Sequence, residues 1–238
     1  RGSATLVKCL DSILALDYPD YEVIVVNDGG DDRVAEIAES YDRVKHVATP
    51  HEGLGAARNT GAREATGAIY AYTDDDCVVE PDWLRWIVAQ FAEDETLGCA
   101  GGPNVPPAPE TGTRAIVAAA PGGPTHVLLT DTRAEHLPGC NLAVRREVFE
   151  KVGGFHTVFR SAGDDVDFCW RVLAAGHGLG FHAAAFVWHH RRFSFRAYFR
   201  QQMGYGRAEA LLMPMHPDRF QGVGGAVWEG QVYVLRRR

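Results

Sequence analysis

No stretch of this 238-residue chain approaches the roughly 20 consecutive apolar residues that a membrane-spanning helix needs. No cleavable leader stands at its start. Its five cysteines, Cys9, Cys77, Cys99, Cys140 and Cys169, are odd in number, scattered, and free of any CxxC pair. That excludes a disulfide framework or zinc-ribbon site and reads as reduced, packing cysteines in a cytosolic setting. Positive charge is scarce: 24 Lys and Arg stand against 31 Asp and Glu, a formal net charge of −7. A chain of that sign is not built to grip a nucleic-acid backbone, and no nucleic-acid partner is expected. Internal repeats and low-complexity tails are missing too. What is there, 46% hydrophobic and 23% charged residues, suffices for one sizeable globular core.

Apolar periodicity orders that core. Leu6, Cys9, Leu10, Ile13 and Leu14 recur at helical spacing, and Tyr18-Pro19-Asp20 breaks the helix. Glu22 to Val26 reads as a buried parallel strand ending at Asn27-Asp28-Gly29-Gly30. A short helix carrying Val34, Ile37 and Ala38 precedes a strand near Val44 to Ala48. Gly53-Leu54-Gly55 opens an Ala-rich helix, and a strand at Ala68 to Thr73 runs into Asp74-Asp75-Asp76. Pro81 suits the first turn of a helix whose Trp83, Ile87, Val88 and Phe91 face the sheet. Further on, a Pro-rich loop (Pro103 to Thr113) and a break at Pro121-Gly122-Gly123-Pro124 precede helices at Arg145 to Val152, Asp164 to Ala175 and Phe193 to Leu212. Strand and helix alternating over short connections predict an α/β, mostly parallel sheet with helices on both faces. The division expected is a catalytic domain over 1–192, with halves 1–101 and 102–192, and a C-terminal helical extension over 193–238.

Ligands in such sheets sit beyond the carboxyl ends of strands, where two acidic clusters fall. Three adjacent carboxylates at Asp74 to Asp76 repel one another unless a cation joins them; the alternative is a solvated acidic turn or helix cap. Asn27 and Asp28 can hydrogen-bond a nucleobase edge, or simply form a strand-to-helix turn with Asp as N-cap. Arg58, in the first turns of a helix, can face phosphate or pair with nearby carboxylates. Asp164, Asp165 and Asp167 open a helix: one caps, while another can project into a cleft as a general base. His189 can complete a metal shell, with Arg191 and Arg192 on pyrophosphate, or the group can be a surface feature.

In order and spacing these segments resemble the family 2 glycosyltransferases, inverting enzymes with the A-type glycosyltransferase fold, from Leu6 to about Arg207. The carriers are Leu10-Asp-Ser-Ile followed by Tyr18 to Gly30; Gly55 to Gly61; Asp74 to Asp76; Gly139 to Phe155; and Gly163 to Arg171. The resemblance implies a three-layer nucleotide-diphospho-sugar transferase fold, mixed and mostly parallel. It implies a donor-binding set of Asn27, Asp28, Arg58, Asp74, Asp75, Asn141 and Asp164. Asp76, with Asp74 and His189, would hold Mg2+ or Mn2+, and Asp165 would be the base. It implies a nucleotide-sugar donor, a UDP-sugar favoured, and a carbohydrate or lipid-linked acceptor.

Two departures are visible. The family's opening nucleotide-contacting strand would precede this chain, which starts at Arg1-Gly2-Ser3 directly in a helical pattern and stops at Arg236-Arg237-Arg238. The Gln-x-x-Arg-Trp element of processive synthases is also missing, since Gln201 to Arg207 carries no Trp, which favours transfer of single sugars. The expected location is cytoplasmic, at the membrane face if segments outside this chain attach it, in the service of cell-envelope polysaccharide synthesis. The alternatives are a sugar nucleotidyltransferase, which would release pyrophosphate, and a non-catalytic nucleotide-sugar-binding module.

Overall fold

The computed structural model describes residues 3–30, 32–108, 110–120, 125–190, 194–221 and 225–232. The expected break at 121–124, the arginines 191 and 192 and both chain ends (1–2 and 233–238) lie outside the described residues.

The first half follows its apolar spacing. Helix α1 (Ser3–Leu14) buries Leu6, Cys9 and Leu10 on one face. Strand β1 (Val23–Asp28), helix α2 (Asp32–Glu39) and strand β2 (Val44–Thr49) form a crossover, the two strands pairing in parallel as a small sheet. Helix α3 (Leu54–Glu64) lies against β1. Strands β3 (Ile69–Tyr72) and β4 (Cys77–Val79) flank the three aspartates. Helix α4 (Trp83–Glu93) begins two residues after Pro81, which sits in the preceding turn and not in the helix. Strand β5 (Leu97–Gly101), strand β6 (Asn104–Val105) and helix α5 (Gly112–Ala119) complete this half.

The second half holds strands β7 (Val127–Thr130), β8 (Arg133–His136) and β9 (Leu142–Arg145), with a 3₁₀ turn at Gly139–Asn141. Helix α6 (Arg146–Val152) stops at Gly153 and Gly154, both at positive φ (79° and 69°), a left-handed cap that glycine adopts without steric cost. Helix α7 (Asp164–Ala174), strands β10 (Gly178–Phe181) and β11 (Val187–His189), helix α8 (Phe195–Met215) and strand β12 (Gln231–Val232) follow.

Seven strands form the main sheet in the order β12-β7-β8-β10-β5-β9-β3, and β4-β11-β6 form a third sheet. Helices cover both faces, as expected. Along β9, Leu142 and Val144 face the cluster built with α6 and α7 (Val148, Phe168, Val172), while Ala143 faces the α4 side (Ile87, Phe91). Alternation with period two puts successive side chains on opposite layers. The expected predominance of parallel pairing needs correcting: among the described residues only β1–β2, β5–β10 and β6–β11 are parallel, and the other six pairings are antiparallel. The physical reason lies in the second half, where β7 and β8 form a tight hairpin and β9 runs antiparallel between β5 and β3.

The extension is not only helical. After α8 the chain turns at Pro217–Arg219 and returns as β12, which pairs with β7 at the edge of the main sheet. Glu135, 1% exposed on β8, fastens it: its carboxylate accepts bonds from Arg219 Nη1 (2.6 Å) and from the Glu229 and Gly230 amides (2.8 Å each). Phe159, Trp170, Leu212, Phe220 and Trp228 form an apolar cluster beneath. No helix among the described residues is long and apolar enough to cross a membrane.

Candidate active site

The site is organised around one buried cation. Arg58 projects from α3, 8% exposed, and its Nη1 donates to Asp164 Oδ2 while its Nη2 lies 3.4 Å from Asp74 Oδ1. The guanidinium also sits 5.4 Å over the Phe155 ring. Room for it comes from Gly139, where a Cβ would collide with the guanidinium. Burial works against the charge, but Asp164, Asp74 and Asp165 together hold the Arg58 pKa above its ordinary value. Arg58 therefore ties the acidic loop after β3 to the acidic start of α7. Of the two readings of Arg58, the geometry supports the carboxylate partner.

Around that loop the structure brings together Asp74, Asp76 and His189. One oxygen of each carboxylate and one nitrogen of His189 lie within 4.8 Å of each other. His189 Nε2 is 3.2 Å from Asp76 Oδ1, and its buried Nδ1 has no hydrogen-bond partner among the described residues. The His190 amide donates to the Asp76 carbonyl (2.8 Å), and β11 pairs with β4 so that His189 stands opposite Cys77. Burial opposes protonation of His189, yet Asp76, with Cys77, raises its pKa. Two carboxylate oxygens and an imidazole nitrogen fit a hard divalent cation. Asp75 is exposed. A recess of about 110 Å³ lined by Thr5, Lys8, Asp76, Cys77, Val78 and His190 opens beside the loop.

At the start of α7 the two acids part ways. Asp164 is 1% exposed; burial pushes its carboxyl up to about 6, with Arg58 pulling the other way. Asp165 is 21% exposed, and its Oδ2 accepts the Gly139 amide (2.9 Å) while Oδ1 accepts the Val166 amide (2.9 Å). Burial would raise this carboxyl, but His136, Arg58 and the Gly139 N–H outweigh it and hold it well below the usual carboxylate range. His136 was not predicted. It is buried on β8, its Nδ1 lies 2.9 Å from the Thr125 carbonyl, and its Nε2 faces Asp165 Oδ2 at 3.8 Å. No sequence motif marks it; only the strand order puts β8 under α7.

Three expected donor contacts are turned to other work. Asn141 is fully buried: its Oδ1 accepts Trp83 Nε1 (2.8 Å) and its Nδ2 donates to the carbonyls of Gly102 (2.8 Å), Pro103 (3.1 Å) and Ala185 (2.8 Å). With both halves of the amide used, it is a core fastener and leaves the donor-contacting set. Asp164, equally buried, is the counter-ion of Arg58. Asp28 accepts the Glu52 (2.7 Å) and Gly53 (2.9 Å) amides, with His51 Nδ1 at 3.1 Å. It shapes the turn that opens α3, where Gly53 holds φ 101° and a Cβ would strike the Arg160 backbone. Asn27 beside it is buried at the end of β1.

Asp167, likewise in the acidic run of α7, serves neither cap nor cleft. It is fully buried and gathers Arg171 Nη2 (2.8 Å), His156 Nδ1 (3.0 Å) and His216 Nε2 (2.9 Å), joining α7 to the end of α8.

Comparison with known proteins follows the same outline. A family model described as glycosyl transferase family 2 matches residues 1–153. The pre-mycofactocin glycosyltransferase of Mycobacterium tuberculosis is 28% identical over 208 residues, covering 83% of this chain and 43% of the relative. The glycosyltransferase AglE of Haloferax volcanii is 32% identical over 183 residues, 73% of this chain and 59% of that one. The chain thus spans about half the length of the curated relatives it matches. Among solved structures, the mannosyltransferase PcManGT of Pyrobaculum calidifontis, in complex with GDP-Man and Mn2+, superposes with a TM-score of 0.68 at 22% identity, over 94% of this chain and 62% of that one. At that identity the likeness speaks to the fold, which is that of the nucleotide-sugar transferases.

Proposed function

The chain belongs to glycosyl transferase family 2, and from that premise we propose that it moves a single sugar from a nucleotide-diphosphate sugar to an acceptor hydroxyl, with inversion. The observation that carries this reading is the bridge of Arg58 between Asp74 and Asp164, which makes the two acidic motifs one site. Asp165, held ionised and half-buried beside that bridge, takes the proton of the acceptor hydroxyl as its oxygen attacks the anomeric carbon. The bond from that carbon to the diphosphate breaks on the opposite face, and the nucleoside diphosphate leaves with the bonding electrons. Asp76, Asp74 and His189 are the residues that would hold a divalent cation. When bound, that cation supplies Lewis-acid neutralisation of the leaving diphosphate. Arg58, satisfied by its carboxylates, fixes Asp74 for that role and does not grip phosphate itself. The Gly139 and Val166 amides, each donating to one oxygen of Asp165, keep the carboxylate aimed before substrate arrives.

The donor is a UDP- or GDP-sugar and the acceptor a carbohydrate or lipid-linked hydroxyl. A panel of UDP-, GDP- and TDP-sugars, each with Mn2+ or EDTA, tests the reading through nucleoside diphosphate release and thermal shift. One donor should stabilise the protein with Mn2+ and not with EDTA, and Asp76→Asn should abolish the difference. Release of pyrophosphate in place of nucleoside diphosphate would replace the transferase reading with nucleotidyl transfer. Donor binding without turnover across a broad acceptor panel would replace it with a binding module.

A further inference from the structure

Helix α8 carries its apolar residues on the wrong side for a helix in water. Ala208 and Leu212 form its buried face, Leu212 in the cluster with Phe159 and Trp170. At about 100° per residue, Phe195, Phe199 and Met203 fall in a row on the opposite face, four residues apart. They are 55%, 70% and 58% exposed, the largest exposures among the aromatic and methionine side chains described. The same geometry sets Arg196, Arg200 and Arg207 as a second row beside Met203, all exposed and none ion-paired among the described residues. The helix holds one acid, Glu209, on the other flank. In a chain of net charge −7, this is a local patch of opposite sign next to an apolar stripe.

We propose that this face of α8 lies on an anionic phospholipid surface, with Phe195, Phe199 and Met203 in the headgroup–acyl boundary and Arg196, Arg200 and Arg207 on lipid phosphates. An apolar row flanked by cations matches both halves of such a surface, chains and phosphates, at once. A second copy of α8 offers the same three arginines and one Glu209, so its charge does not complement the patch. The placement has a consequence for the site. Gly163, one residue before Asp164, packs so closely on Ala208 that a Cβ there would lie 2.7 Å from it, and Gly204 stands over Ser161. α8 therefore separates the proposed lipid face, on its outer side, from the segment leading into Asp164 and Asp165, on its inner side, which sets the site about one helix diameter (about 10 Å) from the lipid, within reach of an acceptor borne on a lipid. That consequence rests on the transferase reading; the docking does not.

The test is sedimentation of the protein with phosphatidylcholine vesicles and with vesicles of phosphatidylcholine and phosphatidylglycerol, at low and high salt. Binding should be confined to the anionic vesicles, weaken with salt, and fall by tenfold or more in Phe199→Ser/Met203→Ser and in Arg196→Glu/Arg200→Glu, taking about a fivefold loss per arginine near such a surface. Thermal unfolding of both double variants should match wild type, because every substituted side chain is exposed; Arg207→Glu provides an independent third variant. No binding to anionic vesicles, equal binding to both kinds, or undiminished binding by the variants overturns the proposal. So does a lipid-free dimer, seen by light scattering, that Phe199→Ser/Met203→Ser converts to monomer, which would give the face to a second copy.

Discussion

Replacing Arg58 with methionine (Arg58→Met) keeps most of the side-chain volume over Phe155 and removes the charge. Asp164 then stands 1% exposed without its guanidinium. Breaking a buried pair from one side costs about 3–5 kcal/mol, because the remaining charge stays desolvated. Asp164 has a way out: burial already pushes its carboxyl up to about 6, and Arg58 was the influence pulling it down. In the variant its folded pKa rises further, so the folded state keeps a proton that the unfolded chain, with an ordinary carboxyl near 4, gives up. The folded state binds more protons across that window, so stability falls as pH rises from about 4 to the raised folded value. Three pH units correspond to at most about 4 kcal/mol. Wild type, with this carboxyl already at about 6, itself loses about 1.4 kcal/mol between pH 5 and pH 8, so the variant's deficit should be larger at pH 8 than at pH 5 by about 1–3 kcal/mol. Urea unfolding followed by tryptophan fluorescence at both pH values measures it, since 3 kcal/mol moves a midpoint by about 1 M at a slope of about 3 kcal/mol/M. Arg58→Met/Asp164→Asn should recover most of the loss by removing the stranded carboxylate. A pH-independent deficit, or a double variant no better than the single, would refute the account of Asp164 as a buried counter-ion.

Asp165→Asn should lower turnover about 10²- to 10⁴-fold while leaving donor affinity, measured by calorimetry, unchanged; full activity removes Asp165 from the role of base. Asn141→Leu should destabilise by about 3 kcal/mol or more, since it strands Trp83 Nε1 and three buried carbonyls. Its remaining folded fraction should bind donor normally, and a selective loss of donor affinity would return Asn141 to the binding set. Arg219→Met should leave Glu135 buried without its cation, cost about 3–5 kcal/mol, and speed hydrogen exchange over 225–232 before the rest of the sheet. Uniform exchange across the sheet would mean that the extension is not a separable latch.

Element existence was readable wherever one face is apolar over several turns. α1, α4 and α7 bury residues at helical spacing that no polar segment imitates, and the β1–α2–β2 crossover follows from a run of β-branched residues, a short amphipathic helix and a second strand. The second half escaped because β6, β7, β8 and β11 are two to four residues long, too short for a period to register, and their direction is decided by the turns between them. The residues of the candidate site were readable in the same uneven way. Asp74, Asp76, Asp165 and His189 stand out as charges at element ends, but whether a charge faces a cleft or a core leaves no trace in its neighbours. Asn141, Asp164 and Asp167 have the same polar, element-boundary appearance, and each is buried with its hydrogen bonds spent.

What the sequence by itself determined is the elements of the first half, the longer helices and the family to which the chain belongs, because hydrophobic period and strand-end acidic runs are local properties of the chain. What only the tertiary structure decided is which charges meet. Arg58 finds Asp164 across 106 residues, Glu135 finds Arg219 across 84, and His136 comes up behind Asp165 because β8 lies beneath α7. An unpaired buried charge is far too costly to persist, so each partner is fixed by where the core closes, and closure is a property of the packed layers and not of any one segment.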